Sequence, residues 1–287
     1  MRVLNVRMLF GVELILRYND LFQQLLDLSI VDSINCAICE EIVRTYRDTY
    51  SDDFIKGYTD IANYIMCDSR INVTTVDNIT SQFPNDVEFK EFMSPSSIEE
   101  RFNISETYQN RRIVDESIET LLPQKYITIS SKCLNVSRSE YENSKMTIFE
   151  ILNESKIPVV ILGEREVKSC KEYEIHQTYS IYEDLFNNLE NKIDLTIASS
   201  ENNNDLYPLK KTFKILSDSS LNIFISTAGV KRVVVYSSSN NVLGLVTTDF
   251  ISFSTGVKNR IDSENITIVD SFNLFNISLR DVLNKLK

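Results

Sequence analysis

The stretch Leu221–Val246, LNIFISTAGVKRVVVYSSSNNVLGLV, holds the pattern that decides the fold. One apolar run closes at Ile225, the turn Ser226-Thr227-Ala228-Gly229 follows, and after a valine- and serine-rich segment a second apolar run occupies Val242–Val246. Short continuous apolar runs, rather than alternating ones, suit strands buried on both faces of a parallel sheet. A covering helix is expected between them. The turn poses the functional question: it either receives a phosphate or only reverses the chain.

Working outward, the same alternation recurs. Tyr126–Ser130 reads as a strand, Ser139–Glu154 as a helix, and Val159–Leu162 as a strand closed by Gly163. Ile181–Leu189 reads as a helix, Leu195–Ala198 as a short strand and Leu206–Ser217 as a helix. Beyond the quoted stretch come a last strand, Ile266–Val269, and an amphipathic helix, Ser278–Lys287. Strands that alternate with helices in this way form parallel sheets covered by helices. Toward the N-terminus, Val3–Met8 reads as a strand and Glu13–Leu28 as a helix. Residues Asp32–Tyr64 read as mostly helical with Gly57 as the break, and Asn72–Val76 as a short strand. Residues 77–115, with Pro84 and Ser94-Pro95-Ser96-Ser97, hold no sustained period and are expected to connect two domains. The fold class is therefore α/β with parallel sheets, the C-terminal half being the better defined.

Composition narrows the function. The chain of 287 residues carries 30 basic and 41 acidic side chains, a net charge of -11, which disfavours general attraction to nucleic acid or anionic lipid. No window approaches the ~18 unbroken apolar residues of a membrane span. In the opening MRVLNVRMLFGVELILRYND, Arg7, Glu13 and Arg17 interrupt the apolar residues, so this segment reads as a first strand and helix rather than a signal peptide. Five cysteines, an odd number, fit a reducing compartment, and a cytoplasmic location is expected.

Motif chemistry is sparse. Cys36 and Cys39 have the spacing of half a zinc site, but no second pair exists and His176 is the only histidine, so two small buried residues of a helix are expected and no metal. The single histidine also removes most hydrolase mechanisms. Neither Gly-x-x-x-x-Gly-Lys-Ser/Thr nor Gly-x-Gly-x-x-Gly occurs, which argues against a P-loop NTPase and an ordinary dehydrogenase. What remains is a set of strand ends, where an open parallel sheet binds its ligands. These are Ser130-Ser131-Lys132, Gly163-Glu164-Arg165-Glu166 and Ser226-Thr227-Ala228-Gly229. They supply hydroxyls, backbone amides, cations and carboxylates, the set a sugar nucleotide needs for its diphosphate and ribose.

The half from Lys125 to Phe250 resembles the nucleotide-binding domain of GT-B glycosyltransferases, in particular those similar to bacterial heptosyltransferases that use ADP-heptose. The resemblance rests on Lys125-Tyr126-Ile127-Thr128-Ile129, on Ile157-Pro158-Val159-Val160-Ile161-Leu162-Gly163-Glu164, and on Thr227-Ala228-Gly229, which fills the place of an Asp-Ser-Gly-like turn. Gly229 matches the family's glycine, the aspartate is absent, and Arg232 stands where the family has a histidine. At the start, Gly11-Val12-Glu13 is similar to the glycine-rich turn and acid that open the family's first helix. The resemblance implies two Rossmann-like domains: an acceptor-side domain 1–115, a nucleotide-binding-like domain 116–275, and a terminal helix 276–287 that packs back on the first. It implies glycosyl transfer from a nucleotide-diphosphate donor, as substrate rather than cofactor, to a glycan or small hydroxyl acceptor without a bound metal. Glu13 would be the base, Lys132 and Arg165 would offset charge on the leaving diphosphate, and Glu164 or Glu166 would hold ribose. Gly163, Ser226, Thr227, Ala228 and Gly229 would complete the donor site. Nucleic acid is not an expected partner, and self-association is compatible with the sequence. The alternative is an inactive GT-B-like protein that serves as a binding or structural module.

Overall fold

Six residues, Val3–Met8, open the chain as strand β1, buried from Leu4 onward. The structure is a computed structural model that describes residues 2–8, 12–39, 52–76, 93–104, 114–133, 136–166, 178–197, 206–225, 241–246 and 266–286. It divides into two units. The first is Met1–Asn110 with the short pieces Asn204–Leu206 and Ser254–Asn259; the second is Arg111–Asn203, Tyr207–Phe253 and Arg260–Lys287.

In the first unit β1 runs parallel to β2, Ser33–Cys39, which runs parallel to β3, Ile71–Val76. Helix α1, Val12–Asp27, connects β1 to β2, and α2, Asp52–Ile65, precedes β3. Ile15, Leu16, Tyr18, Leu21, Phe22 and Leu25 of α1 are wholly buried. A further helix, α3, Pro95–Phe102, begins where Ser94 accepts the amide of Ser97 at 3.1 Å and Pro95 takes the first turn. It packs on α1 through the Arg17–Glu99 ion pair, and the Tyr18 hydroxyl donates to the Met93 carbonyl at 2.6 Å.

Two expectations are corrected here. Residues 33–39 are a strand, not part of a helix. Register places Cys36 between Val6 and Val73 in the sheet, with its thiol buried and 3.9 Å from the Met66 sulfur. Burial pushes that thiol well above its ordinary pKa, which suits a packing residue rather than a metal or redox ligand. The region expected to be only connecting contains α3.

The second unit is built on six parallel strands: β4 (Ile127–Ser130), β6 (Val159–Leu162), β8 (Lys192–Asp194), β9 (Leu221–Ile225), β10 (Asn241–Leu245) and β11 (Ile266–Val269). Their order is β11-β10-β9-β4-β6-β8. The chain starts at β4, winds outward through β6 and β8, returns to the other side of β4 with β9, and winds outward again. That is the doubly wound topology of Rossmann-like domains. Strands β5 (Lys132–Cys133) and β7 (Tyr179–Ser180) form a small antiparallel ribbon of their own.

One face of the sheet buries Ile127, Ile129, Val159, Ile161, Ile223 and Leu243 against α4 (Arg138–Ser155), α5 (Tyr182–Asn188) and α7 (Phe272–Leu286). On the other face Tyr126 and Val160 pack with Ile215 of α6, Leu206–Asp218. Across the centre of the sheet the buried Thr128 hydroxyl donates to Asn222 Oδ1 at 2.5 Å, and Asn222 Nδ2 donates to the Leu216 carbonyl at 2.9 Å. Gly244, paired with Phe224, leaves room for that ring: a Cβ at Gly244 would stand 2.2 Å from Phe224 Cζ.

Further corrections concern edges. The strand expected at Leu195–Ala198 lies earlier, at Lys192–Asp194; past it the Leu195 and Ile197 amides still reach the Ile161 and Gly163 carbonyls at 3.1 and 2.9 Å, but only as an isolated bridge, because the Thr196 amide between them is taken by Asp194 Oδ1 at 3.0 Å. The terminal helix begins at Phe272, before the expected start. It commits Phe272, Phe275, Leu279 and Leu283 to the core of the second unit and Arg280 to Glu154 at 3.4 Å. Each such buried side chain contributes about 1.5–3 kcal/mol. The helix expected between β9 and β10 falls outside the described residues.

Candidate functional site

In a doubly wound sheet the chain diverges on either side of the switch point, and ligands bind outside the carboxyl ends of the strands there. In the second unit that point lies between β4 and β9, whose last residues are Ser130 and Ile225. Strand β6 ends beside it.

Gly163 shapes this edge. Its φ is +102°, and a Cβ would stand 2.7 Å from Ser131 Oγ, so the bend requires glycine. The bend delivers the Glu164 carbonyl to two hydroxyls, Ser131 at 2.8 Å and Ser180 at 3.0 Å. Ser131 donates its amide to the Leu162 carbonyl and accepts the Ile181 amide, each at 2.8 Å. Through the β5–β7 ribbon Lys132 stands opposite Ser180. Lys132 Nζ and Glu164 Oε1 then face each other at 3.7 Å, with side chains 18% and 13% exposed.

Arg165 is held differently. Its Nη2 donates to Asp194 Oδ2 at 3.0 Å, its Nε donates to Thr196 Oγ1 at 3.0 Å, and its guanidinium lies 5.3 Å from the centre of the Tyr182 ring. The Tyr182 hydroxyl also donates to Asp194 Oδ2, at 2.9 Å, and the Thr196 hydroxyl donates to Oδ1 at 2.5 Å. Burial would raise the Asp194 carboxyl, but the Thr196 hydroxyl and amide, the Tyr182 hydroxyl and Arg165 outweigh it and hold the group below the usual carboxylate range. Nearby Cys133 is buried, and desolvation pushes its thiol far above the range of a nucleophile.

The structure thus brings Lys132, Gly163, Glu164 and Arg165 to one sheet edge. The backbone amides expected there as phosphate donors are engaged within the protein at Ser131 and, toward the Ile197 carbonyl at 2.8 Å, at Arg165. Ser226, Thr227, Ala228 and Gly229 lie outside the described residues, as do His176 and Arg232. Glu13 is the second residue of α1 in the first unit, and its side chain is likewise outside the description. Asp194, Thr196, Tyr182 and Ser180 were not expected from sequence, although Asp194-Leu195-Thr196 has the form of an Asx turn. A pocket of about 210 Å3 lies farther along the same edge, at the ends of β10 and β11, but its charged lining is Glu140 and Asp270, which does not suit a diphosphate. Among the described residues no group of three or more His, Cys, Asp or Glu is placed to hold a metal, and no helix is long and apolar enough to cross a membrane.

No family model and no curated protein matches the chain. Solved structures do. The dodecameric iron-containing heptosyltransferase TibC, in complex with ADP-D-beta-D-heptose, superposes with a TM-score of 0.51 at 12% identity over 99% of this chain and 76% of TibC. A glycosyl transferase family 9 protein from Veillonella parvula gives 0.49 at 8% identity over 96% and 88% of the two chains. The E. coli heptosyltransferase WaaC, with ADP-2-deoxy-2-fluoro heptose, gives 0.47 at 7% identity over 100% of each chain. At such identity the likeness to TibC speaks to the fold alone: the chain has a heptosyltransferase-like GT-B fold with parallel α/β sheets.

Proposed function

We propose that the protein transfers a glycosyl group from a nucleoside-diphosphate donor to a hydroxyl acceptor. The observation that carries this reading is the pairing of Lys132 with Glu164 at 3.7 Å on the carboxyl edge of the sheet, beside the β4–β9 switch point. One side chain suits a phosphate oxygen and the other a pair of ribose hydroxyls, which is the division a nucleotide requires. The fold shared with TibC, whose structure holds an ADP-linked heptose, supports an ADP-linked sugar as the first donor to try. Fold likeness by itself does not assign an activity, so the weight rests on the site.

In the transfer the acceptor hydroxyl gives its proton to Glu13, the acceptor oxygen bonds to the anomeric carbon, and the bond from that carbon to the diphosphate oxygen breaks. The nucleoside diphosphate leaves with the electron pair. Lys132 offsets the charge that develops there, which lowers the barrier because the cation is already in place. Arg165, tied to Asp194, adds a fixed positive group at the rim, and residues 226–229 complete the donor side. Residues 1–115 are the acceptor side and 116–275 the nucleotide side in this reading, with a cytoplasmic location and a glycan or other small hydroxyl compound as acceptor.

Isothermal calorimetry with ADP, UDP and GDP tests it. Binding of one diphosphate, weakened about 10-fold or more by Lys132→Ala as expected for loss of a charge-assisted contact, supports the reading. If Lys132→Ala and Arg165→Ala both leave affinity unchanged, the site is wrong. A diphosphate that binds without any sugar transfer in the presence of its nucleotide sugars favours the inactive alternative.

A further inference from the structure

Lys132 and Arg165 face their neighbouring carboxylates, Glu164 and Asp194, in unlike ways. Asp194 is bound to Arg165 through a network: it also receives the Tyr182 hydroxyl and both the amide and the hydroxyl of Thr196. Removing Arg165 from Asp194 would disturb a stacked ring and a turn as well as an ion pair. Between Lys132 and Glu164 the closest oxygen stands at 3.7 Å, beyond hydrogen-bonding distance. Glu164 is nevertheless firmly placed, since its carbonyl is fastened by Ser131 and Ser180 and the preceding Gly163 holds the bend. Its carboxylate therefore faces the same lysine at high effective concentration whatever the solution holds.

We infer that Glu164 is an internal competitor for Lys132, an anion built into the site that an incoming diphosphate displaces. This rests on the donor-site reading above. A diphosphate brings more charge and more acceptor oxygens to Lys132 than a carboxylate that does not reach hydrogen-bonding distance, so it wins the exchange. Released from the cation, Glu164 is then the acceptor for ligand hydroxyls. The two steps are coupled: a bare anion must break the pair and gains nothing from the freed carboxylate, whereas a nucleotide recovers the loss through its ribose. The pair thereby discriminates against inorganic phosphates in favour of phosphates that carry a diol. Arg165 takes no part in the exchange, because its carboxylate partner is held in three further hydrogen bonds.

Calorimetry of the full chain with inorganic pyrophosphate, which has no hydroxyl groups, and with ADP separates these roles. Glu164→Gln keeps the shape and removes the competing charge. It is expected to bind pyrophosphate about 2- to 5-fold more tightly than the parent, the factor that corresponds to a partly exposed ion pair, and to bind ADP no more tightly. In Lys132→Ala the further change Glu164→Gln is expected to bring no gain for pyrophosphate, since the contested cation is gone. Thermal melting of each variant confirms that the fold is kept. Equal or weaker pyrophosphate binding by Glu164→Gln, while Lys132→Ala still weakens ADP, overturns the competition and leaves the donor site standing. Absence of binding of both ligands to the parent and to Glu164→Gln overturns both.

Discussion

Replacing Gly163 with alanine strikes the one residue whose backbone shapes the candidate site, and the structure sets the size of the effect. At φ +102° an L-residue is strained by about 1–2 kcal/mol, since its Cβ crowds the backbone. The new methyl would also stand 2.7 Å from Ser131 Oγ, whose side chain is fully buried and donates to the Glu164 carbonyl at 2.8 Å. Relieving that clash rotates the hydroxyl off its acceptor, and a buried hydroxyl without a partner costs about 1–3 kcal/mol. Gly163→Ala should therefore destabilise the second unit by about 2–5 kcal/mol from these two sources. Ser131→Ala alone should cost about 1 kcal/mol, the net value of a typical hydrogen bond. In the double variant the clash is gone and the backbone strain remains, so the combined loss should fall below the sum of the single losses. Urea denaturation, following the transition of the second unit, measures all three. A loss under about 0.5 kcal/mol for Gly163→Ala, within the range of an ordinary surface substitution, refutes the reasoning, and so does strict additivity.

Asn222→Leu removes the amide that joins Thr128 to the Leu216 carbonyl, and the stranded Thr128 hydroxyl should cost about 1–3 kcal/mol; adding Thr128→Val should recover part of that loss in the same assay. The acid limb of stability should carry signatures from both units. Arg70 hydrogen-bonds Asp68 and holds its carboxyl down to about 2, so the stabilisation is present above the unfolded carboxylate pKa, about 3.9, and is lost as pH falls through about 2. Asp194 is depressed in the same direction, and Asp194→Asn should flatten the acid dependence of the second unit as followed by urea midpoints from pH 6 downward; a midpoint profile parallel to that of the parent would contradict the assignment.

Much of the second unit was legible because its strands are short β-branched runs with clear ends. Val159–Leu162 stops at a glycine, and Ile266–Val269 falls where the sequence put it. The helix at Arg138–Ser155 starts behind Ser137, which accepts the Glu140 amide at 3.4 Å. Ser33–Cys39 carries a pattern that fits a helix as well as a strand. Ile34 and Ile38 stand four apart, a spacing that satisfies both helical and alternating periods, and small Cys36 between them did not tip the balance toward a strand. Pro95–Phe102 showed its cap in Ser94-Pro95 but was too short to develop a period.

At the site, Lys132, Gly163 and Glu164 could be nominated because a parallel sheet puts its ligand edge where strands end. The partner of Arg165 could not be found that way. Asp194 and Thr196 close the third strand of the winding and meet Arg165 only when β8 takes its place beside β6. The sequence showed cations without showing which carboxylates already hold them, and that is the difference between a phosphate ligand and a fixed rim.

The hydrogen bond between Thr128 and Asn222 spans 94 positions of the chain. In kinetic terms, the two strands that flank the candidate crevice are among the costlier neighbours in the sheet to bring together, since β6 and β8 lie between them in sequence and a long loop must close. A nascent chain that has reached Asp218 already holds Lys132, Gly163 and Glu164, yet has no second wall for its binding edge. On the proposed reading, the capacity to hold a nucleotide would be acquired in one step, when β9 docks beside β4, and not gradually as the residues of the site are made.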